Sequence, residues 1–203
     1  MRRTKAEADK TRSAILNAAA TLFSEKGFEH TTLQDIAVSI GATRGAIYWH
    51  FKNKTEIFDA IHERLYQPLM DLILEDVEND HPDPLGQLQE ICANLLIEIG
   101  HNQQKRQALH LFLVRCDFSG ELAPYKEKNA AKKAQSRKLF QRFFQGAMEK
   151  GHLRTDRDTE TLALAISCFM KGIIMEYLNE PGAFDISTQA PRLIATFFEG
   201  LKK

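Results

Sequence analysis

Cysteine, proline and glycine are all scarce in this chain of 203 residues, and each shortage removes a class of structure. The three cysteines, Cys92, Cys116 and Cys168, are odd in number and widely spaced, with no C-x-x-C pair. That excludes a disulfide framework and a cysteine zinc site, and fits a reducing, cytoplasmic compartment with the thiols as inert core. Six prolines and eleven glycines are too few for a turn-rich sheet sandwich. No uninterrupted apolar run of ~18 residues occurs, so no membrane span is expected. The N-terminus, Met1-Arg2-Arg3-Thr4-Lys5, is charged and no apolar stretch follows it, so no signal peptide is expected. Internal repeats are absent, which argues against a solenoid.

Catalytic signatures are missing as well. There is no P-loop, dinucleotide fingerprint or serine nucleophile elbow. The histidines (His30, His50, His62, His81, His101, His110 and His152) show no metal-ligand spacing, and His62-Glu63 lacks the second histidine of a zinc protease helix. Neither cofactor nor metal is expected, and an enzyme has no constellation to act with.

What is present is charge, unevenly placed, and helical periodicity. The formal net charge is zero. Residues 1–54 nevertheless hold nine basic and five acidic groups, a difference of +4, which leaves −4 for residues 55–203. A basic end on a neutral chain suggests an anionic partner for that end.

Apolar residues recur at helical spacing nearly throughout, and no segment alternates with period two. The first helix is expected from Asp9 to Lys26, with Ile15, Ala19, Leu22 and Phe23 on one stripe and Gly27 as its stop. Thr32 and Asp35 form a capping-box pair ahead of Leu33, Ile36, Ala37 and Ile40. Gly41 ends that helix, and Thr43 caps a third over Arg44–His50. The next begins near Thr55, and Pro68 should kink or shorten it. A polar break runs from Asn79 to Pro84. Helices then follow around Leu85–Ile99 and Leu109–Val114, along a polar-then-aromatic stretch ending at Met148, and over Leu162–Leu178. A last one is capped by Ser187. Phe118-Ser119-Gly120 reads as a turn. The fold class is all-α, with about nine helices.

Residues 32–51 carry the chemistry. Two short helices joined by a glycine-containing turn are the pattern of a helix-turn-helix. Thr43, Arg44, Gly45, Tyr48 and Trp49 fall outside the buried stripe set by Ala46, Ile47 and Phe51. Arg44 can offer paired donors to guanine. Gly45 lets the backbone approach closely. Tyr48, His50 and Lys54 are of the type that holds phosphates and fixes register. The other reading of Tyr48, Trp49 and Phe51 is interdomain core, and pattern alone leaves both open.

The run Thr43-Arg44-Gly45-Ala46-Ile47-Tyr48-Trp49-His50-Phe51-Lys52-Asn53-Lys54 closely resembles the recognition helix and following turn of TetR-family repressors. It looks most like the AcrR-like subgroup that regulates multidrug efflux. The resemblance extends over Arg3-Thr4-Lys5, Thr11-Arg12, Ala18-Ala19, Phe23, Gly27, Thr31-Thr32-Leu33 and Ile36-Ala37. Beyond residue 58 it thins to Asp83-Pro84-Leu85, Arg115-Cys116-Asp117-Phe118 and Gly172-Ile173-Ile174. Ala42 departs from the subgroup's usual valine, and Tyr177 stands where many relatives have tryptophan.

The resemblance implies a helix-turn-helix DNA-binding domain over 1–54 and a helical ligand-binding and dimerisation domain over 55–203. The partners it implies are a pseudo-palindromic double-stranded operator, a second copy of the chain through the last two helices, and a hydrophobic or cationic small-molecule effector. A membrane is not among them. It implies Thr32, Thr43, Arg44, Gly45, Tyr48, Trp49, His50 and Lys54 as the DNA contacts. The candidate effector contacts are Leu65, Leu95, Glu98, Phe112, Arg115, Cys116, Phe118, Phe140, Phe144, Met170, Ile174 and Tyr177, although each apolar one of these would also serve as ordinary core. The alternative to effector control is a regulator of the same fold governed by a protein partner or by nothing.

Overall fold

The computed structural model describes residues 4–78 and 81–201. Among them are nine α-helices and no β-strand, as the periodicity predicts. They are α1 (Lys5–Lys26), α2 (Leu33–Ser39), α3 (Arg44–His50), α4 (Lys54–Glu78), α5 (Pro84–His101), α6 (Gln103–His110), α7 (Ala123–Glu149), α8 (Thr159–Asn179) and α9 (Ile186–Glu199). A π-helical turn, Leu111–Arg115, follows α6, and a 3₁₀ turn, Gly120–Leu122, precedes α7. The break read at Asn79-Asp80 lies outside the described residues.

Two compact units are present. One takes the chain through Gln67 together with Gln104–Pro124, and the other takes Pro68–Gln103 together with the chain from Tyr125 onward. Neither is continuous in sequence, and α4 passes from the first to the second at Pro68.

Local chemistry sets most helix ends. The Thr32–Asp35 capping box forms as expected, with each side chain holding the other's backbone N–H. Thr43 caps α3 by accepting from the Ala46 N–H at 3.3 Å. A second capping box, Thr4 with Glu7, starts α1 four residues before the expected Asp9. Pro68 does not shorten α4, which continues to Glu78. The apolar run expected as a helix over Leu109–Val114 instead closes α6 at His110 and winds into the π turn.

The cap of α9 is Asp185, not Ser187. Its carboxylate accepts from the Ser187 N–H at 2.9 Å, the Thr188 N–H at 3.4 Å and the Ser187 hydroxyl at 2.6 Å. A charged acceptor two residues earlier captures the free N–H groups better than a hydroxyl inside the helix. The Ser187 hydroxyl is the main cause that holds the Asp185 carboxyl below its ordinary value, with the Ser187 and Thr188 backbone bonds adding to it. The folded-state pKa is therefore depressed, so this contribution is present above pH ~4 and disappears as pH falls through the folded value. Asp185→Ala should lower the melting temperature by a few degrees at pH 7 and by less as the pH falls below ~4, which thermal scans over that range check.

In the first unit α1, α2 and α3 pack on one another around Ile15, Phe23, Ile36 and Ile47, each at most 1% exposed. Rings continue this core. Phe23, Phe28 and Phe58 lie 5.0–6.3 Å apart, and Phe112 from the π turn meets Phe58 at 4.9 Å and His62 at 5.0 Å. Arg115 donates from Nε to the Ser24 carbonyl at 2.9 Å, and His110 Nδ1 lies 2.7 Å from the Ser24 hydroxyl.

In the second unit α5 packs along α9. A Cβ at Gly100 would come within 2.7 Å of the Ser187 Cβ, so the bare glycine lets α5 approach the start of α9. Phe169 of α8 stacks on Phe197 of α9 at 5.5 Å. By length and composition alone α8 is apolar enough to cross a membrane, as the core helix of a packed bundle also can be. It also carries Glu160, Lys171 and Glu176, and it buries Leu162, Ile166, Met170, Ile174 and Leu178. Not all cysteines are core: Cys92 is buried, with its thiol pushed up to about 12, but Cys116 is half-buried outside any α-helix and Cys168 is exposed.

Candidate nucleic-acid interface

The turn between α2 and α3 is built from Ile40 to Thr43. Gly41 takes φ +64°, a left-handed conformation that glycine adopts without strain. Ala42 donates its N–H to the Ala37 carbonyl at 2.9 Å. Two short helices thus follow each other through a tight turn, each with its own threonine cap.

α3 buries one side and presents the other. Ile47 is fully buried and Phe51, just past the helix end, is 2% exposed. Trp49 is 70% exposed and Tyr48 is 48% exposed, which is unusual for large aromatics and shows that these two do not pack into the core of their own unit. Arg44 and Gly45 are exposed as well. His50 is half-buried, its ring edge-on to Trp49 at 4.5 Å.

Arg44 and Tyr48 are spaced i, i+4 and meet on the exposed side. Arg44 donates from Nη2 to the Tyr48 hydroxyl oxygen at 2.8 Å, and its guanidinium carbon lies 5.3 Å from the ring centroid. One donor is thereby fixed, and the planar group is oriented with its remaining N–H groups available. Tyr48 accepts in this bond, so its own O–H is left to donate outward.

The other expected residues sit around this face. Thr32 is exposed at the start of α2, and its hydroxyl is shared with Asp35 at 2.6 Å. That hydrogen bond is the main cause that holds the Asp35 carboxyl below its ordinary range. Thr43 is exposed at the start of α3. Lys54 differs from the rest, being half-buried with its ammonium turned onto the loop between α1 and α2.

In the first unit one large exposed apolar residue escaped the sequence reading. Val38, on α2, is 66% exposed. The signal was available, because Val38 falls off the Leu33–Ile36–Ala37–Ile40 stripe. Arg12 lies 5.1 Å over the Phe51 ring, and Arg64 is close enough that its own burial and the charge of Arg12 both lower its pKa.

The candidate effector residues divide between the units. In the first, Leu65 and Phe112 are buried, Cys116 and Phe118 half-buried, and Arg115 exposed and committed to α1. In the second, Phe144, Met170, Ile174 and Tyr177 are buried, Leu95 and Phe140 half-buried, and Glu98 exposed. Tyr177 meets Phe184 edge-on at 5.9 Å. Among the described residues no group of histidine, cysteine and carboxylates could hold a metal.

A short helix with a fixed arginine and two exposed aromatics, carried behind a tight turn on a basic segment, defines a helix-turn-helix DNA-binding protein. Comparison with known proteins gives the family. Residues 15–61 match the bacterial regulatory proteins of the tetR family, and residues 83–203 match the C-terminal region of MAATS-type transcriptional repressors. The transcriptional repressor BepR of Brucella suis is 34% identical over 202 residues, covering 100% of this chain and 97% of BepR. Among solved structures, NalD of Pseudomonas aeruginosa, the secondary repressor of the MexAB-OprM multidrug efflux pump, superposes with a TM-score of 0.82 at 32% identity. The match covers 98% of this chain and 99% of NalD. SmeT of Stenotrophomonas maltophilia, in complex with triclosan, gives a TM-score of 0.84 at 28% identity over 96% of this chain and 92% of its own. The chain belongs to the TetR family and is a transcriptional repressor, not an enzyme.

Proposed function

We propose that this repressor acts as a homodimer on a pseudo-palindromic operator that controls a multidrug efflux operon. A hydrophobic or cationic small molecule releases it. The carrying observation is the exposed, preordered Arg44–Tyr48–Trp49 face of α3 on a chain that is similar, over nearly its whole length, to NalD and SmeT. Both of those proteins repress multidrug efflux pumps.

Arg44 reads a base edge, and Tyr48 and Trp49 contact the backbone beside it. Thr32, Thr43, Gly45 and His50 flank them on the same two helices. Dimerisation through α8 and α9 is supported by Leu164, an apolar residue 50% exposed on α8. Two heads one turn of DNA apart, ~34–36 Å, then read a two-fold site. Regulators of this kind act in the cytoplasm.

The effector reading is supported by triclosan bound to SmeT and by the aromatic and sulfur-bearing residues Phe140, Phe144, Met170 and Tyr177 of the second unit. Glu98 is the acid that would favour a cation. Glu98→Gln should raise the concentration of a cationic dye needed to release the operator by roughly tenfold, about the worth of one hydrogen bond to a charged group. It should leave release by triclosan unchanged. A gel-shift titration with each compound checks both. Operator binding indifferent to every such compound would instead favour control by a protein partner.

A further inference from the structure

Lys54 opens α4 and by residue type resembles a phosphate ligand. Its surroundings give it a different task. The ammonium donates to the Phe28 carbonyl at 3.1 Å and lies 3.5 Å from the Glu29 carbonyl. It sits 4.6 Å from the Phe28 ring centroid and 3.9 Å from Glu121 Oε1, and its side chain is only 18% exposed. Two segments remote in sequence, both in the first unit, converge on this one cation.

The same two segments also meet directly. Glu29 Oε1 accepts the Glu121 N–H at 3.4 Å. Gly120 takes φ +54°, and a Cβ added there would lie 2.5 Å from Glu29 Oε1. Glycine at 120 suits the left-handed backbone, and a side chain there would push the Glu29 carboxylate off the turn. Leu122, 3% exposed, anchors the far end of the turn.

We propose that the turn Ser119–Leu122 is a latch on the DNA-binding head, received by Glu29 and Lys54, and that Lys54 is a positioning residue in place of a phosphate ligand. Phe28 and Glu29 lie in the loop that delivers the chain to α2, with the Thr32 cap only three residues beyond Glu29. Thr31 stiffens the loop, its hydroxyl donating to the Gly27 carbonyl at 2.8 Å. Pinning this loop to the start of α4 fixes α2 and α3 in one orientation. An unlatched head samples several orientations, and all but one must be frozen out when two heads dock in register on one operator. Binding to random DNA, which needs phosphates but no register, is largely spared.

The inference rests on the operator-binding reading, so the test includes one readout that needs no DNA. Lys54→Met, Gly120→Ala and Glu121→Gln are compared with the wild type in the full-length protein. The probes are a labelled duplex from the DNA flanking the protein's own gene and a scrambled duplex, each over a range of salt concentrations. Lys54→Met and Gly120→Ala should each weaken the specific duplex by roughly three- to tenfold, leave the scrambled one nearly unchanged, and combine to no more than either alone. The slope of log affinity against log salt should stay at its wild-type value. Amide exchange in residues 27–31 should rise in both variants and, more weakly, in Glu121→Gln. A slope reduced by about 0.9 per lost contact would make Lys54 a phosphate ligand and overturn the assignment. Wild-type exchange in the 27–31 loop of Gly120→Ala would overturn the latch. A wild-type protein with no preference for the specific duplex would count against the operator reading, and the exchange data would then decide the latch alone. Should Lys54→Met fail to fold, Glu121→Gln, at an exposed carboxylate, and Gly120→Ala carry the test.

Discussion

Arg44→Ala should cost the repressor most of its sequence preference while leaving its affinity for random DNA nearly intact. A bidentate arginine–guanine pair discriminates by ~1–3 kcal/mol, which is roughly five- to more than a hundredfold for each half-site. A dimer loses this twice, once per head. The fixed geometry explains why the loss should be toward the upper end. Arg44 is already held by the Tyr48 hydroxyl at 2.8 Å, so little rotamer entropy opposes base contact. Tyr48→Phe keeps the ring under the guanidinium but removes both the acceptor and the outward O–H, so it should give a smaller loss of preference together with weaker binding to all DNA. Measuring each variant against a panel of single-base operator changes separates the roles. Arg44→Ala should flatten the preference at one position per half-site. Equal weakening on operator and random DNA would make Arg44 a backbone contact.

Phe58→Ala should unfold the DNA-binding unit. Phe58 is fully buried and touches three rings, Phe23, Phe28 and Phe112, from three different segments. Truncating a buried phenylalanine costs ~3–5 kcal/mol in transfer and cavity terms. Domains of this size are stable by only ~5–15 kcal/mol in total, so the loss takes a large share. The expected result is a marked fall in melting temperature together with loss of binding to all DNA. A variant that melts near the wild-type temperature would show that these rings are not the core of the unit. Phe58→Leu should recover part of the loss by refilling the cavity.

Several parts of this molecule are legible because their causes are local. The Thr32–Asp35 box and the Thr43 cap are written within four residues, and both form. The buried stripe of α3 predicts which side of that helix is left to face outward. The elements that the sequence conceals depend on distant partners or on competition between similar groups. Asp185 and Ser187 are both good cap residues, and only the geometry shows that the carboxylate takes the N–H groups. The π turn at Leu111–Arg115 has an apolar composition indistinguishable from a helix. Lys54 shares its type with phosphate ligands, and its true neighbours lie 26 residues back at Phe28 and further on at Glu121. The effector residues are the least legible. Buried aromatics such as Phe144 pack identically in a core and in a cavity wall, and no periodicity separates the two.

Fluorescence anisotropy decides whether the α3 face reads DNA, using a labelled duplex from the DNA flanking the protein's own gene beside a scrambled duplex of the same length and composition. The flanking duplex should be bound preferentially at physiological salt, and Arg44→Ala should remove the preference. Equal affinity for the two duplexes, unchanged by Arg44→Ala, would contradict the assignment of the α3 face as the surface that reads DNA.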